Sequence, residues 1–194
     1  MIVYPAIDLR GGRCVRLLQG AFDQETVYGE DPVAMARRWE AAGARWLHVV
    51  DLDGARAGRP MQADLVRAIC AAVGIPVQVG GGLRDAAAVA TVLGAGAARV
   101  VVGTAAVQDP ALCRTLCRTH PGRIALGLDA RAGRLRVAGW TEDGGLPATT
   151  LAALGHREAA PLLGRLLADQ EAIVAAAAGA ALQELELPPA PEAL

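Results

Sequence analysis

Two aspartates stand where chemistry is expected. Pro5-Ala6-Ile7-Asp8 and Leu126-Gly127-Leu128-Asp129 each carry an apolar run into a carboxylate. If both runs are parallel strands of one sheet or barrel, the two acids open into the same mouth. Two carboxylates in different surroundings can divide acid and base work between them. The same positions would equally serve as plain caps of the loops that follow.

A second group is built from glycine. Gly80-Gly81-Gly82-Leu83-Arg84-Asp85 and Val102-Gly103-Thr104-Ala105 each follow an apolar run. Glycines there let backbone N–H groups approach an anion, and the next helix adds a favourable dipole. Arg84 would add charge and Thr104 a hydroxyl. Tight turns that need glycine only for positive φ are the alternative; two neighbouring strands ending this way favour phosphate. Asp51 and Asp53, in Leu47-His48-Val49-Val50-Asp51-Leu52-Asp53, are placed to orient a ribose or a side chain such as Arg16. His48 lies before its strand end and reads as a packed histidine. Trp140, after a strand-like hairpin at Arg134–Val137, would stack on a heteroaromatic ring or plug a lid.

The elements that must position these residues alternate regularly. Apolar runs at Ile2–Ile7, Trp46–Val50, Ile75–Val79, Arg99–Val102 and Ile124–Leu128 read as continuous parallel strands covered on both sides. Between them, Pro32–Ala42, Asp64–Val73, Ala86–Leu93 and Pro110–Thr119 read as helices. Asp31-Pro32 and Asp109-Pro110 are an N-cap followed by proline at the first helical position. Strand–helix alternation of this kind means βαβ units and a parallel sheet. Acids and glycines at strand ends favour a (β/α) barrel. The dinucleotide fingerprint of a doubly wound sheet is missing, because Gly80-Gly81-Gly82 is not G-x-G-x-x-G.

Composition narrows the chemistry further. The chain has 194 residues, is 53% hydrophobic and 20% charged, and carries a net charge of -1. That excludes disorder and argues against a polyanion-binding surface, so neither nucleic acid nor membrane is an expected partner. No signal peptide is legible at Met1-Ile2-Val3-Tyr4-Pro5, and the expected location is cytoplasmic. All 19 basic residues are arginine, which removes Schiff-base lysine chemistry and every phosphate loop that depends on lysine. Of the four cysteines, Cys113 and Cys117 lie one helical turn apart. With only His120 near, they read as neutral thiols, not as a metal or redox site.

Taken together, Pro5-Ala6-Ile7-Asp8-Leu9-Arg10-Gly11-Gly12-Arg13-Cys14-Val15-Arg16-Leu17, Leu47-His48-Val49-Val50-Asp51-Leu52-Asp53-Gly54-Ala55, Gly80-Gly81-Gly82-Leu83-Arg84, Val102-Gly103-Thr104, Gly127-Leu128-Asp129-Ala130-Arg131 and Gly139-Trp140 are distinctive. They closely resemble the phosphoribosylformimino-aminoimidazole carboxamide ribotide isomerase family of histidine biosynthesis. The sister cyclase family shares the barrel but usually has Cys-Leu-Asp at the first strand and a lysine soon after; Ala6-Ile7-Asp8 favours the isomerase. The resemblance implies a (β/α)8 TIM barrel and an Amadori rearrangement of an aminoaldose to an aminoketose, with a bisphosphorylated ribotide as substrate and no cofactor or metal. It implies that Asp129 protonates the ribose ring oxygen and that Asp8 removes the C2′ proton. It also implies that Gly82, Arg84, Gly103 and Thr104 form a phosphate site, with Arg16, His48 and Trp140 supporting substrate; Gly81 in the same glycine turn and Asp51 at its strand end join these candidates by position. Ala21 and Gln62 depart from the family, which often has an acid and an asparagine there.

The resembling motifs cover residues 1–145, expected to form about five βα units of the barrel. Residues 146–194 read as an Ala/Leu-rich helical tail (Thr149–Leu154, then Glu158–Leu187) that lacks the family's later motifs. An α/β barrel commonly takes about 200–250 residues, so the later strands are expected to be missing or replaced by this tail. The alternative to an isomerase is a non-catalytic half-barrel that binds phosphate or self-associates through open sheet edges.

Overall fold

The structure is a computed structural model that describes residues 3–18 and 20–127, together with the backbone of 129–131, 134–137 and 142–147. Ile2, Leu128, Trp140 and the helices expected beyond residue 147 lie outside the described residues, as does the side chain of Asp129. The chain divides into two compact units. The first comprises Met1–Leu128 with Val137–Glu142, and the second Asp129–Arg136 with Asp143–Leu194.

In the first unit the expected alternation is present. Its strands are β1 (Ala6–Arg10), β2 (Arg13–Leu18), β3 (Ala21–Gly29), β4 (Leu47–Asp51), β5 (Val77–Gly80), β6 (Arg99–Val102) and β7 (Ile124–Leu126). Its helices are α1 (Pro32–Ala41), α2 (Leu52–Ala57), α3 (Ala63–Ala72), α4 (Ala86–Gly94), α5 (Thr104–Gln108) and α6 (Pro110–Thr119). The strands form one sheet in the order β3-β2-β1-β4-β5-β6-β7. From β1 through β4, β5 and β6 to β7 all pairing is parallel, while β2 and β3 extend the sheet as an antiparallel ribbon. This is the α/β class expected of the barrel. Among the described residues the sheet is open, with β3 and β7 at its edges.

Burial alternates along the parallel strands. Ile7, Leu9, Leu47, Val49, Val77, Val79, Val100 and Val102 are buried and join one core with Ala36, Val66, Ile69, Val89, Val92, Cys113 and Leu116 of the helices. Because side chains alternate across a strand, Asp8, His48, Gln78 and Arg99 fall on the opposite face, where each is only partly buried. The expectation of strands uniformly apolar on both faces is therefore corrected. One face is sealed by helices, and the other carries single polar side chains among small and apolar ones. Each side chain fully buried against the helices contributes roughly 1.5–3 kcal/mol.

The helix starts follow their sequence signals. Asp31 Oδ1 accepts from Val33 N at 2.9 Å and Ala34 N at 3.0 Å, with Pro32 completing the first turn. Asp109 accepts from Leu112 N at 2.9 Å and Asp85 from Ala88 N at 2.7 Å. The β2–β3 ribbon and the short helices α2 and α5 were not anticipated.

The strands described after β7 are β8 (Asp129–Arg131), β9 (Arg134–Val137) and β10 (Glu142–Pro147), which form a three-stranded sheet in the order β10-β9-β8. β8 and β9 pair antiparallel, with Asp129 opposite Arg136. The strand-like character read at Arg134–Val137 is confirmed. β10 is an addition, and it runs past residue 145 into Leu146 and Pro147.

Candidate functional site

The polar face of the parallel sheet is organised in rows, because parallel pairing sets residues of neighbouring strands side by side. One row reads Asp8, Val50, Gly80, Val101; the row nearer the strand starts reads Ala6, His48, Gln78, Arg99. Asp8 therefore lies at the centre of β1, not at its end as the apolar run suggested. Beyond Asp8 the row is small and apolar. A Cβ placed on Gly80 would come within 3.5 Å of the Val101 Cβ and 3.9 Å of the His48 Cε1, so the missing side chain leaves space above the imidazole.

Asp8 keeps 18% of its side chain exposed, and its Oδ2 lies 3.9 Å from Nη1 of the exposed Arg16 on β2. Burial pushes the Asp8 carboxyl above its ordinary value, opposed by the positive charges of Arg16 and His48. A buried carboxylate is a stronger base than one in water. Burial also pushes the His48 imidazole below its ordinary value, against the pull of Asp8. As a packed histidine would, His48 has one ring nitrogen partnered: Gln78 Nε2 meets its Nδ1 at 3.0 Å, and Arg99 Nε donates to Gln78 Oε1 at 2.7 Å. Gln78 and Arg99 were missed in the sequence. The signal was there, a polar residue set among valines in Val77-Gln78-Val79 and Arg99-Val100-Val101-Val102.

The other candidates divide into builders and binders. Asp51 is buried at 3% exposure and its carboxylate accepts from Gly54 N at 2.7 Å, Met61 N at 2.7 Å and Gln62 N at 3.0 Å. It organises the loop after β4, and this geometry does not support the substrate-orienting role expected for it. Asp53 Oδ2 accepts from Gly11 N at 2.7 Å and from Gln62 Nε2 at 2.9 Å, while Gln62 Oε1 accepts from Gly12 N at 3.0 Å. That clasp fixes the β1–β2 turn, and so the strand that carries Arg16. Neither Asp8 nor His48 lines the groove beside it, which runs past Gly11, Gly12, Asp53, Arg56, Met61 and Gln62.

Of the glycines after β5, Gly81 has φ +106° and Gly82 φ +73°. A Cβ on Gly81 would collide with the Asp51 backbone, and one on Gly82 would lie 2.6 Å from the Gly54 and Arg59 carbonyl oxygens. Close backbone packing alone therefore demands both glycines. Arg84 is exposed, and its Nη2 donates to Ala55 O at 3.4 Å near the end of α2. Gly103 and Thr104 open α5 after β6, the strand that pairs in parallel with β5, so both turns follow the carboxyl ends of neighbouring strands. A Cβ on Gly103 would lie 3.1 Å from Gly127 O. Asp129 begins β8, with only its backbone described, and Trp140 lies outside the described residues.

Among the described residues no cluster of histidine, cysteine and carboxylate groups is arranged to hold a metal ion. Cys14 and Cys113 are buried, and burial pushes the Cys113 thiol up to about 11. No described helix is long and apolar enough to cross a membrane.

A parallel α/β sheet with helices on one face, a carboxylate and an imidazole on the other, and glycine turns at its strand ends is a scaffold of the (β/α)-barrel class. Comparison with known proteins is specific: the chain belongs to the family described as histidine biosynthesis protein, which it matches over residues 2–163. It is 53% identical over 146 residues to an isomerase of Nitratidesulfovibrio vulgaris, covering 75% of this chain and 60% of that protein. An isomerase of Synechococcus elongatus is 55% identical over 152 residues, covering 78% of this chain and 59% of that one. One of Cereibacter sphaeroides is 53% identical over 152 residues, covering 78% and 64%. All three bear the name 1-(5-phosphoribosyl)-5-((5-phosphoribosylamino)methylideneamino)imidazole-4-carboxamide isomerase. The chain thus spans about 60% of the length of the relatives it matches.

Proposed function

We propose that this chain acts in the aldose–ketose isomerisation named for its relatives, on a bisphosphorylated imidazole-carboxamide ribotide of histidine biosynthesis. The observation that carries the reading is Asp8, a carboxylate made more basic by burial, on an open polar face beside His48 and Arg16. The substrate is an aminoaldose. Asp129 donates a proton to the ribose ring oxygen, the C1′–O bond breaks, and the anomeric nitrogen forms a C1′=N bond with its lone pair. Asp8 then takes the C2′ proton, and those electrons move to C1′=C2′ as the C=N pair returns to nitrogen. The enol hydroxyl at C2′ loses its proton as C1′ gains one, which leaves the ketose. In this reading Gly81, Gly82, Arg84, Gly103 and Thr104 hold one phosphate, and Arg16, His48 and Trp140 contact the rest of the substrate.

The test is to incubate the chain with the ribotide and follow the aminoketose product, while measuring inorganic phosphate binding by calorimetry. Product formation, with phosphate affinity weakened in Arg84→Ala, supports the reading; no product at any substrate concentration contradicts it. Phosphate binding without turnover would instead favour a non-catalytic half-barrel. One observation keeps that second reading in view. Among the described residues β7 bounds the sheet, and Ile124, Ala125 and Leu126 are each only partly buried. Self-association through that edge would appear in sedimentation as a dimer or larger species, and a monomer at all concentrations would remove it.

A further inference from the structure

His48, Gln78 and Arg99 stand side by side in one register row across β4, β5 and β6. Arg99 Nε donates to Gln78 Oε1 at 2.7 Å, and Gln78 Nε2 reaches His48 Nδ1 at 3.0 Å. A guanidinium can only donate, so it must face the amide oxygen of Gln78, which turns the amide NH2 toward the imidazole. An NH2 group only donates, so Nδ1 must accept. The neutral ring then carries its proton on Nε2.

Arg99 is itself held firmly. Its Nη2 donates to Tyr4 Oη at 3.2 Å, and its guanidinium lies 4.7 Å from the Trp46 ring centroid and 5.7 Å from that of Tyr4. An aromatic bracket thus orients the arginine, the arginine orients the amide, and the amide orients the imidazole. The charged groups acting on the ring are Asp8 from β1 and Arg99 from β6, with Arg16 acting on Asp8 from β2.

We propose that Gln78 and Arg99 are positioning residues that lock His48 as its Nε2–H tautomer, so that it serves the site as a hydrogen-bond donor and not as a base. The use made of that donor, a hydrogen bond to a substrate oxygen beside Asp8, rests on the isomerase reading; the lock does not. It divides the work on this face, with proton removal at Asp8 and hydrogen-bond donation at His48. A histidine free to accept would compete with Asp8 for the same proton.

The test is nitrogen-15 NMR of the imidazoles in the full chain, which has three histidines. Above pH 6.5, His48 is expected to show an unprotonated Nδ1 and a protonated Nε2. Protonated Nδ1 in the wild type would overturn the proposal without any variant. In Gln78→Glu the carboxylate still accepts from Arg99 but can only accept at Nδ1, so the tautomer should reverse and the ring should titrate at higher pH. Arg99→Met frees the amide to flip and should populate both tautomers. An unchanged His48 signature in a folded Gln78→Glu chain would refute the lock. Isomerase kinetics separate the two readings: Gln78→Glu should lower kcat/KM by about tenfold or more. A reversed tautomer with unchanged kinetics would uphold the lock and remove His48 from the isomerase reaction.

Discussion

Asp8 is held in a position that costs stability. Its folded carboxyl binds a proton more tightly than the unfolded one, whose ordinary value is 3.8. Its contribution is therefore intact below that pH and is lost as pH rises through the raised folded value. At neutral pH, Asp8→Asn should accordingly raise Tm, and the gain should shrink on acidification; a lower Tm at pH 7 would show that the pairing with Arg16 outweighs burial. His48 has the opposite sign. Its folded imidazole lies below the ordinary 6.5, so its contribution is complete above pH 6.5 and falls as pH drops through the lowered value. His48→Leu should flatten the acid side of the stability profile, and an unaltered profile would place that loss elsewhere. The cysteines are simpler. With its thiol pushed up to about 11 and buried, Cys113 should react with maleimide in the native chain more slowly than the partly exposed Cys70.

At the scale of elements, the signals in the sequence were chemical where they worked. Asp31-Pro32 and Asp109-Pro110 announced α1 and α6, and the capping bonds are formed. Asp31→Ala should cost about 1 kcal/mol in denaturant unfolding; no change would mean that Pro32 alone fixes the helix start. α2 and α5 escaped because helices of 6 and 5 residues are too short to show a period. The β2–β3 ribbon escaped because Ala21–Gly29 has no apolar alternation, its polar residues serving Arg10 and Arg13 through Glu25 at 2.7 and 3.1 Å. The glycine run after β5 was legible as a turn, but composition could not show that Asp51 closes against it. Gly81→Ala should destabilise by more than about 1 kcal/mol, because both its φ of +106° and the nearby Asp51 backbone forbid a Cβ. A neutral effect would mean that the turn can rearrange.

For the molecule as a whole, strand–helix alternation was enough to read the class, and the family match agrees with it. What composition could not give was the two-sidedness of the sheet. Valine-rich strands read as uniformly apolar, yet single polar residues at Asp8, His48, Gln78 and Arg99 share one face by register. That face is only as well placed as the helix-side core behind it. Leu47, fully buried next to His48, ties the two together, and Leu47→Ala should cost about 2–5 kcal/mol.

In the proposed reaction Asp8 removes the C2′ proton, and the most direct measurement is turnover of ribotide carrying deuterium at C2′, in the wild type and in Asp8→Asn. The predicted result is a primary isotope effect in the wild type and a fall in turnover of about 10²-fold or more in the variant, with inorganic phosphate affinity unchanged. Turnover near wild type in Asp8→Asn, with the isotope effect intact, would contradict it.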